Sequence, residues 1–419
     1  MNKKWIPVIS PEHAGAYKEL MDQVTSGLVQ KVSGFIKNPS SLQYEGVGAM
    51  GGTAGDLLYL FYIAEYNEDE SIYNLALEGL ETLLAISTGN RMHGFCTGVP
   101  GLLWMLYHLE NKEIVPDAGT MIDEELIDAF CTGCIELIKH ADYDYMHGGL
   151  SMASPLLESK RRTAKHDHYL ELMVDALISS ATRGGEMAWW YYIIDFEKID
   201  EKGISMGLSH GMPSIIAVLS KIWEQGIAQE KCKKLIEQVV NFVLDKKLKP
   251  GSSSLYPFSY RDDISEQPNG SGRIAWCYGD IDIAIALHYA YKVIPDERYK
   301  IEAEYLFKYI VDHNYENFQY TFDGSFCHGM CGNGHIFNRL YNMTGNENYR
   351  EIADFWFKNI FPKVKMEDDV LKIHIMEKKI TLWSDKTNII SGTAGIGLTL
   401  LSAMAEVRPD WDEMFLLNL

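Results

Sequence analysis

Two thiols and an imidazole in the last third of the chain have the chemistry of a catalytic metal site. Cys277 lies in the segment RIAWCYGD (273–280), and the pair Cys327 and His328 follows 50 residues later. Sulfur and nitrogen are the ligands that zinc prefers, and three protein ligands leave the fourth tetrahedral position free for a substrate atom. The three residues therefore predict an open zinc site, and with it an enzyme.

Other cysteines leave alternatives open at this point. Cysteine is also a common small buried apolar residue, so a structural role competes with the metal role. Cys331 lies four residues after Cys327 and could be a fourth ligand, which would close the site. We expect the helix that begins there to carry Cys331 away from the turn. The pair Cys131 and Cys134 lies in a helical stretch, which does not favour a redox role.

Four further polar side chains are candidates for proton transfer and substrate binding. His210, in a Ser-His-Gly segment, suits general acid–base chemistry near neutral pH, although a hydrogen-bonded histidine at a helix start is the alternative. Asp144 could orient such a histidine or cap a helix N-terminus. Arg273 could hold a carboxylate or a developing enolate oxygen, or form a surface salt bridge, and Tyr278 directly follows Cys277.

These residues fall in a repeated turn that precedes an apolar helix start. The turn has seven copies, in which glycines recur near positions 51, 98, 148, 211, 279, 329 and 392. Each copy opens an apolar segment rich in small residues. An amphipathic segment, whose apolar residues recur at helical spacing, follows it. This pattern predicts one buried inner helix and one outer helix per repeat, closed into an α/α toroid. An open solenoid is the alternative, but it would need polar terminal repeats, and the last copy is as apolar as the others. All seven turns would then lie at the same end of the toroid, which would bring the candidate residues together.

Two stretches interrupt the repeat. Residues 249–272 are rich in proline, glycine and serine and predict a long loop, close in sequence to Arg273. Residues 187–196 (MAWWYYIIDF) are aromatic and typical of a strand or a small added subdomain. We expect one domain over residues 1–419, with a small extension or long loop within residues 185–275.

Composition and charge narrow the class of protein. The 419 residues carry a formal net charge of −20, which excludes nucleic acid as a main partner because phosphate binding needs clustered Lys and Arg. Seven cysteines, an odd number in a large chain, indicate reduced thiols rather than a disulfide framework. Without an apolar stretch long enough for a signal peptide or a membrane span, we expect a cytoplasmic protein.

The motifs resemble those of one known family. RIAWCYG (273–279), CHG (327–329) and SHG (209–211) are similar to the motifs of the lanthionine synthetase C-like proteins, the cyclases of lanthipeptide biosynthesis. The resemblance covers nearly the whole chain, and it implies an all-α fold, an α/α toroid of seven inner and seven outer helices. His147, beside the Asp144 turn, and Cys331, beside the proposed metal, depart from the family pattern.

The resemblance also implies an activity. The substrate would be a precursor peptide, leader plus core, whose serines and threonines are already dehydrated to dehydroalanine and dehydrobutyrine. A Zn²⁺ ion would activate peptide cysteines for addition to these residues, forming lanthionine and methyllanthionine rings. The implied site residues are Cys277, Cys327 and His328 as zinc ligands, His210 as the acid–base residue, and Asp144, Arg273 and Tyr278 with less settled roles.

Several alternatives remain at this stage. The first is a non-enzymatic relative that binds glutathione or other thiols at the same metal. The second is a zinc prenyltransferase subunit, which would usually need an aspartate ligand. A carboxylate-based glycosidase fits less well, because the turns carry Cys and His rather than paired acids. The sequence also leaves open whether the chain works alone or docks with a lanthipeptide dehydratase and an ABC transporter at the membrane.

Overall fold

The structure, a computed structural model, describes residues 4–42, 46–87, 89–193, 202–249, 254–261, 274–377 and 380–419. The described residues form fifteen α-helices and eight short strands. The helices are α1 Gly15–Lys37, α2 Thr53–Asn67, α3 Glu70–Ser87, α4 Val99–Asn111, α5 Glu124–Lys139, α6 Ala153–Glu158, α7 Ala164–Ser180, α8 Met212–Glu224, α9 Gln229–Asp245, α10 Asp280–Val293, α11 Glu297–Asp312, α12 Asn314–Gln319, α13 Met330–Thr344, α14 Glu347–Lys358 and α15 Thr393–Met404. The strands are β1 Thr182–Gly184, β2 Met187–Trp189, β3 Tyr192–Ile193, β4 Lys202–Ser205, β5 Ser259–Tyr260, β6 Val364–Glu367, β7 Val370–Glu377 and β8 Ile380–Ser384.

Each predicted glycine turn ends in a glycine that caps a helix. The helices that begin in this way are α2, α4, α8, α10, α13 and α15. The turn at Gly148 differs, because it opens a 3₁₀ helix, Gly149–Met152, that leads into the short α6. A Cβ atom on Gly211 or on Gly329 would lie 2.3 Å from a backbone carbonyl oxygen six residues earlier. The turns therefore close too tightly for any larger residue.

The chain packs into two compact units, and the single domain expected over residues 1–419 stays a prediction. The first unit comprises Met1–Met121 and Thr321–Glu413. Its inner helices are buried all round: α2 buries residues 53–61 without a break, and α15 buries residues 393–403. The outer helices α1, α3 and α14 bury one face each and pack against α2, α13 and α15. The alternation of fully buried and half-buried helices is the one that the sequence predicts.

The second unit comprises Ile122–Tyr320 and Met414–Leu419. Inner helices α8 and α10 pack against each other, and each also packs against the outer helix that follows it, α9 or α11. In α9 the buried residues recur at helical spacing and define one face. They are Cys232, Leu235, Ile236, Val239, Val240, Phe242 and Val243. The sequence-based expectation of paired inner and outer helices holds in this unit as well.

Four strands, β2 to β5, lie within the predicted extension, residues 185–275, and β1 lies directly before it. β1 and β2 form a hairpin, and β3, β4 and β5 form a three-stranded antiparallel sheet. The expected strands in residues 187–196 are present as β2 and β3, while residues 194–196 lie outside the described residues. Of the expected loop 249–272, the structure describes residues 249 and 254–261, which include β5.

A second three-stranded sheet, β6–β7–β8, was not predicted. In β7 buried and more exposed residues alternate, as in a strand with one covered face. The backbone of this strand is bonded to the loop before α13: the Gly324 amide donates to the His374 carbonyl (2.9 Å), and the Met376 amide donates to the Asp323 carboxylate (2.8 Å). The sheet therefore supports the loop that carries Cys327 and His328.

Among the described residues, no helix combines the length and the apolar character that a membrane span requires.

Candidate active site

The turn before α13 presents a thiol and an imidazole side by side. The Asp323 side chain, which is almost fully buried, accepts from the Ser325 amide (2.6 Å), and the Asp323 carbonyl accepts from the Met330 amide (3.0 Å). The Cys327 amide donates to the Ile390 carbonyl (2.9 Å). In this frame the Cys327 Sγ lies 3.5 Å from the His328 Nε2. The turn thus holds one sulfur and one nitrogen atom side by side.

The turn before α10 holds the other thiol. Cys277 lies between the paired residues Ala275 and Tyr278, and Gly279 ends the turn with φ of 123°, a conformation that favours glycine. The Ser209 hydroxyl donates to the Cys277 carbonyl (3.1 Å), so the turn is bonded to the segment that precedes His210. The Cys277 side chain is only 6% exposed.

The ligand atoms of Cys277, Cys327 and His328 lie within 4.8 Å of one another and could hold a metal ion. The donor set fits zinc, because two sulfurs and one nitrogen are ligands of a borderline-soft cation. Tetrahedral bonds to zinc would place a sulfur and a nitrogen ligand about 3.6 Å apart. The separation of 3.5 Å between Cys327 Sγ and His328 Nε2 agrees with that value.

Cys331 does not belong to this group of ligand atoms. It lies in the first turn of α13, fully buried, and burial raises the pKa of its thiol although a hydrogen bond with Thr399 opposes the change. This placement agrees with the expectation that the helix carries Cys331 away from the proposed metal. Cys131 and Cys134 are buried in α5, and burial raises the pKa of both thiols, that of Cys134 to about 12, which does not favour a reactive thiolate.

His210 and Asp144 form a hydrogen-bonded pair in the second unit. The Nδ1 of His210 lies 2.7 Å from the Oδ2 of Asp144, whose side chain is nearly fully buried. The other oxygen, Oδ1, accepts from the Met146 and His147 amides at 2.7 and 2.9 Å. Burial alone would raise the pKa of Asp144, but the charge and hydrogen bond of His210 outweigh it and lower that pKa. Asp144 is therefore placed to orient His210, whereas the helix-capping alternative is not observed: its Oδ1 closes the turn before Gly148, and Gly148 precedes the 3₁₀ helix without a side-chain cap.

Two rings beside His210 were not assigned to the site from the sequence. The Tyr192 ring lies 5.7 Å from the His210 ring and the His147 ring lies 5.5 Å from it, both nearly parallel to it. The Tyr192 hydroxyl also bonds to Asp144. No motif marks Tyr192, because it reaches Asp144 from a strand 48 residues away. His147, which departs from the family pattern, lies in contact with the pair.

Buried acids beneath the turns hold them in place. The Oδ2 of Asp282 accepts from the Leu208 amide (2.8 Å), which ties the His210 turn to α10. Burial raises the pKa of Asp282, and burial raises that of Asp280 to about 6. Asp280 accepts from the Leu255 and Tyr256 amides and so also anchors the segment that leads to β5. The sequence showed these aspartates at the start of α10 but not what they bind.

The remaining two candidates are placed differently. Tyr278 follows Cys277 and packs on Phe258, with ring centroids 4.3 Å apart. Arg273 lies outside the described residues, so its expected role stays a prediction. His93 lies in the turn before α4 and is not one of the three residues of the metal group.

Comparisons with known proteins agree with this fold. Residues 49–416 match the family described as lanthionine synthetase C-like protein. Among solved structures, nisin cyclase superimposes with a TM-score of 0.74 at 16% sequence identity, over 93% of this chain and 97% of that one. No curated protein sequence matches the chain significantly. The structural match confirms the expected all-α fold of the α/α toroid class. Since the family match extends over most of the sequence, the chain belongs to the lanthionine synthetase C-like family.

Proposed function

We propose that this chain is a zinc-dependent lanthipeptide cyclase, a lanthionine synthetase. The observation that carries the proposal is the group of two thiols and one imidazole, with ligand atoms within 4.8 Å, in a member of this family. Three protein ligands leave one position for a substrate atom, which is the arrangement of a catalytic rather than a structural site.

The proposed reaction is the addition of a peptide thiol to a dehydro residue, with no leaving group and no change of overall oxidation state. When bound by Cys277, Cys327 and His328, zinc would lower the pKa of a coordinated peptide thiol, so that the thiolate is available at neutral pH. The peptide sulfur then bonds to the β-carbon of dehydroalanine or dehydrobutyrine, and the carbon–carbon double bond opens to an enolate. A proton returns to the α-carbon, so the mass of the peptide does not change while one thiol is lost.

His210 supplies that proton in this proposal. Its Nδ1 is engaged by Asp144 at 2.7 Å, which selects the tautomer in which Nδ1 carries hydrogen and Nε2 exchanges a proton. Asp144 also stabilises the charged imidazole, and its own orientation is held by two backbone amides. Tyr278 and Arg273, which flank Cys277 in the sequence, would contact the substrate or the developing enolate oxygen.

The proposed substrate is a dehydrated precursor peptide, leader plus core. A lanthipeptide dehydratase would have to supply it, and an ABC transporter would export the product; both are proposed partners that co-purification would test. We place the activity in the cytoplasm, where the seven cysteines, which form no disulfide among the described residues, would stay reduced.

One experiment tests the proposal. The purified chain is analysed for zinc by mass spectrometry and incubated with a dehydrated peptide that contains one cysteine. N-Ethylmaleimide then labels the thiols that remain. We expect about one zinc per chain and a peptide that loses its reactivity towards the label without changing its own mass.

The outcomes separate the proposal from its main alternative. Zinc with saturable glutathione binding, but no loss of peptide thiol, would favour the non-enzymatic thiol-binding protein. A protein without zinc that still closes rings would contradict the metal assignment. Heat-denatured protein and peptide alone serve as controls, because addition of thiols to dehydro residues also proceeds slowly without a catalyst.

A further inference from the structure

The His210–Asp144 pair has a third member that comes from outside the repeat turns. Tyr192 lies on β3, and its hydroxyl bonds to the same carboxylate that accepts from His210. The centroid of its ring lies 5.7 Å from that of His210, with an angle of 17° between the planes. One tyrosine therefore contacts both members of the pair, the histidine through its ring and the aspartate through its hydroxyl.

The strand that carries Tyr192 is firmly anchored. The neighbouring Trp190 is buried, its indole nitrogen donates to the Ser180 hydroxyl (3.0 Å), and its ring lies 5.7 Å from that of Tyr143. Tyr192 itself pairs with Gly203 of β4, and β4 leads directly into the turn that contains His210. Tyr192 and His210 are thus held by the same short sheet.

The hydroxyl of Tyr192 remains a donor. Burial, together with the nearby charge of Asp144, raises the pKa of Tyr192. A protonated hydroxyl that donates to Asp144 takes up part of the carboxylate charge that His210 would otherwise receive alone. The other titratable groups around the pair are Asp142, Tyr143 and His147.

We infer that Tyr192 is a positioning residue for His210. The Tyr192 ring holds the imidazole in its orientation towards Asp144, and the Tyr192 hydroxyl limits the carboxylate charge that Asp144 offers to His210. The inference rests on the proposed function for its effect on turnover, but its effect on His210 does not depend on that function. Tyr192 acts through His210 and Asp144 rather than on the peptide.

Tyr192→Phe tests the inference, because it removes the hydroxyl and keeps the ring. The titration of His210 is followed by nitrogen-15 NMR of the zinc-loaded protein, with the signal assigned through its loss in His210→Gln. We expect the pKa of His210 to rise by roughly half a unit to one unit, since Asp144 no longer shares its charge with a second donor. In the ring-closure assay, kcat should fall by about three- to tenfold with little change in KM, because positioning is lost and binding is not.

Tyr143→Phe is the matched control. Tyr143 is adjacent to Asp144 and fully buried, but its hydroxyl finds no hydrogen-bond partner among the described residues. Its removal should leave the His210 titration and kcat unchanged. An identical His210 titration in the wild type and in Tyr192→Phe would overturn the inference. A shifted titration in a protein that closes no rings would instead contradict the proposed function and leave the role of Tyr192 standing.

Discussion

At the scale of single residues, two cysteines four positions apart differ in the groups that surround their sulfur atoms. Cys327 lies in a turn with an imidazole nitrogen 3.5 Å from its sulfur, whereas Cys331 is enclosed in α13 and bonds to Thr399. Both cysteines are buried, but only Cys327 belongs to the group of side chains whose ligand atoms could share a metal ion. The proposed ligand role therefore follows the position within the turn and not the residue type.

Cys327→Ala should abolish stoichiometric zinc binding and ring closure, because one of three protein ligands is lost. Cys331→Ala is the control at the same end of α13. We expect it to retain zinc and to lower the free energy of unfolding by only about 1 kcal/mol, through the small cavity that it leaves. Metal analysis and chemical denaturation measure the two effects. Full zinc occupancy in Cys327→Ala would refute its assignment as a ligand, and Cys277→Ala should behave in the same way.

Asp144→Asn separates the two hydrogen-bonding roles of this carboxylate, which accepts from the amides of its own turn and orients His210. The asparagine oxygen can still accept from the Met146 and His147 amides, but the amide group cannot accept the His210 Nδ1–H. We expect kcat for ring closure to fall about 100-fold, as in the loss of an acid–base group, while zinc content stays at the wild-type level. His210→Gln should give a similar loss. Unchanged turnover in both variants would remove the pair from the mechanism.

At the scale of elements, the glycine turns are what the sequence predicts best. A Cβ on Gly329 would lie 2.3 Å from the Asp323 carbonyl oxygen, closer than real Cβ contacts. Gly329→Ala should therefore displace the turn, lower the free energy of unfolding by about 2 kcal/mol or more, and weaken zinc binding by the adjacent His328. The control is Gly27→Ala in α1, where an added Cβ meets nothing within 4 Å. It should stabilise the chain by roughly 0.5–1 kcal/mol, since alanine favours the helix. Equal effects of the two substitutions would contradict this account.

We expect His288, in α10, to make the free energy of unfolding of the chain depend on pH. Burial lowers the pKa of His288 to about 4, below its ordinary value of 6.5. As the pH falls below 6.5, the unfolded chain takes up this proton before the folded one does, so the free energy of unfolding declines between pH 6.5 and about 4. The loss amounts to about 3 kcal/mol at most. His288→Gln should remove this part of the pH dependence, as measured by denaturation at pH 7 and pH 4.5. An unchanged difference between the two pH values would show that His288 does not contribute.

The elements that the sequence did not predict have physical reasons. The sheet β6–β7–β8 carries the alternation of VLKIHIME in 370–377, but the stretch is short and lies within a chain whose dominant pattern is helical. The third inner segment forms only the short helix α6. Pro155 lies inside α6 and has no amide hydrogen, so a longer helix would lose a backbone hydrogen bond at this position. Tyr192 could not be assigned to the site at all, since only the folded chain brings it to Asp144.

At the scale of the whole molecule, the site depends on residues that are far apart in the sequence. His210 and Asp144 are 66 residues apart, and Cys277 precedes Cys327 by 50. Recurrence of the same turn made these residues recognisable as a group, because each occupies a similar place before a helix. The sequence could thus single out the three residues that could hold a metal and the candidate acid–base residue His210, while the distances and the buried partners of each turn required the structure.

Zinc should consequently stabilise the folded chain as a whole. An ion that binds only the folded state raises the free energy of unfolding by about 2.7 kcal/mol when its concentration is 100 times the dissociation constant. For a chain of 419 residues this corresponds to a rise of about 3 °C in the unfolding midpoint. Calorimetry of the protein before and after treatment with a chelator, followed by addition of zinc, should show this shift and its reversal. In Cys277→Ala the midpoint should not respond to zinc, since the ligand set is incomplete. A variant that still gains the full 3 °C from zinc would show that the ion binds elsewhere.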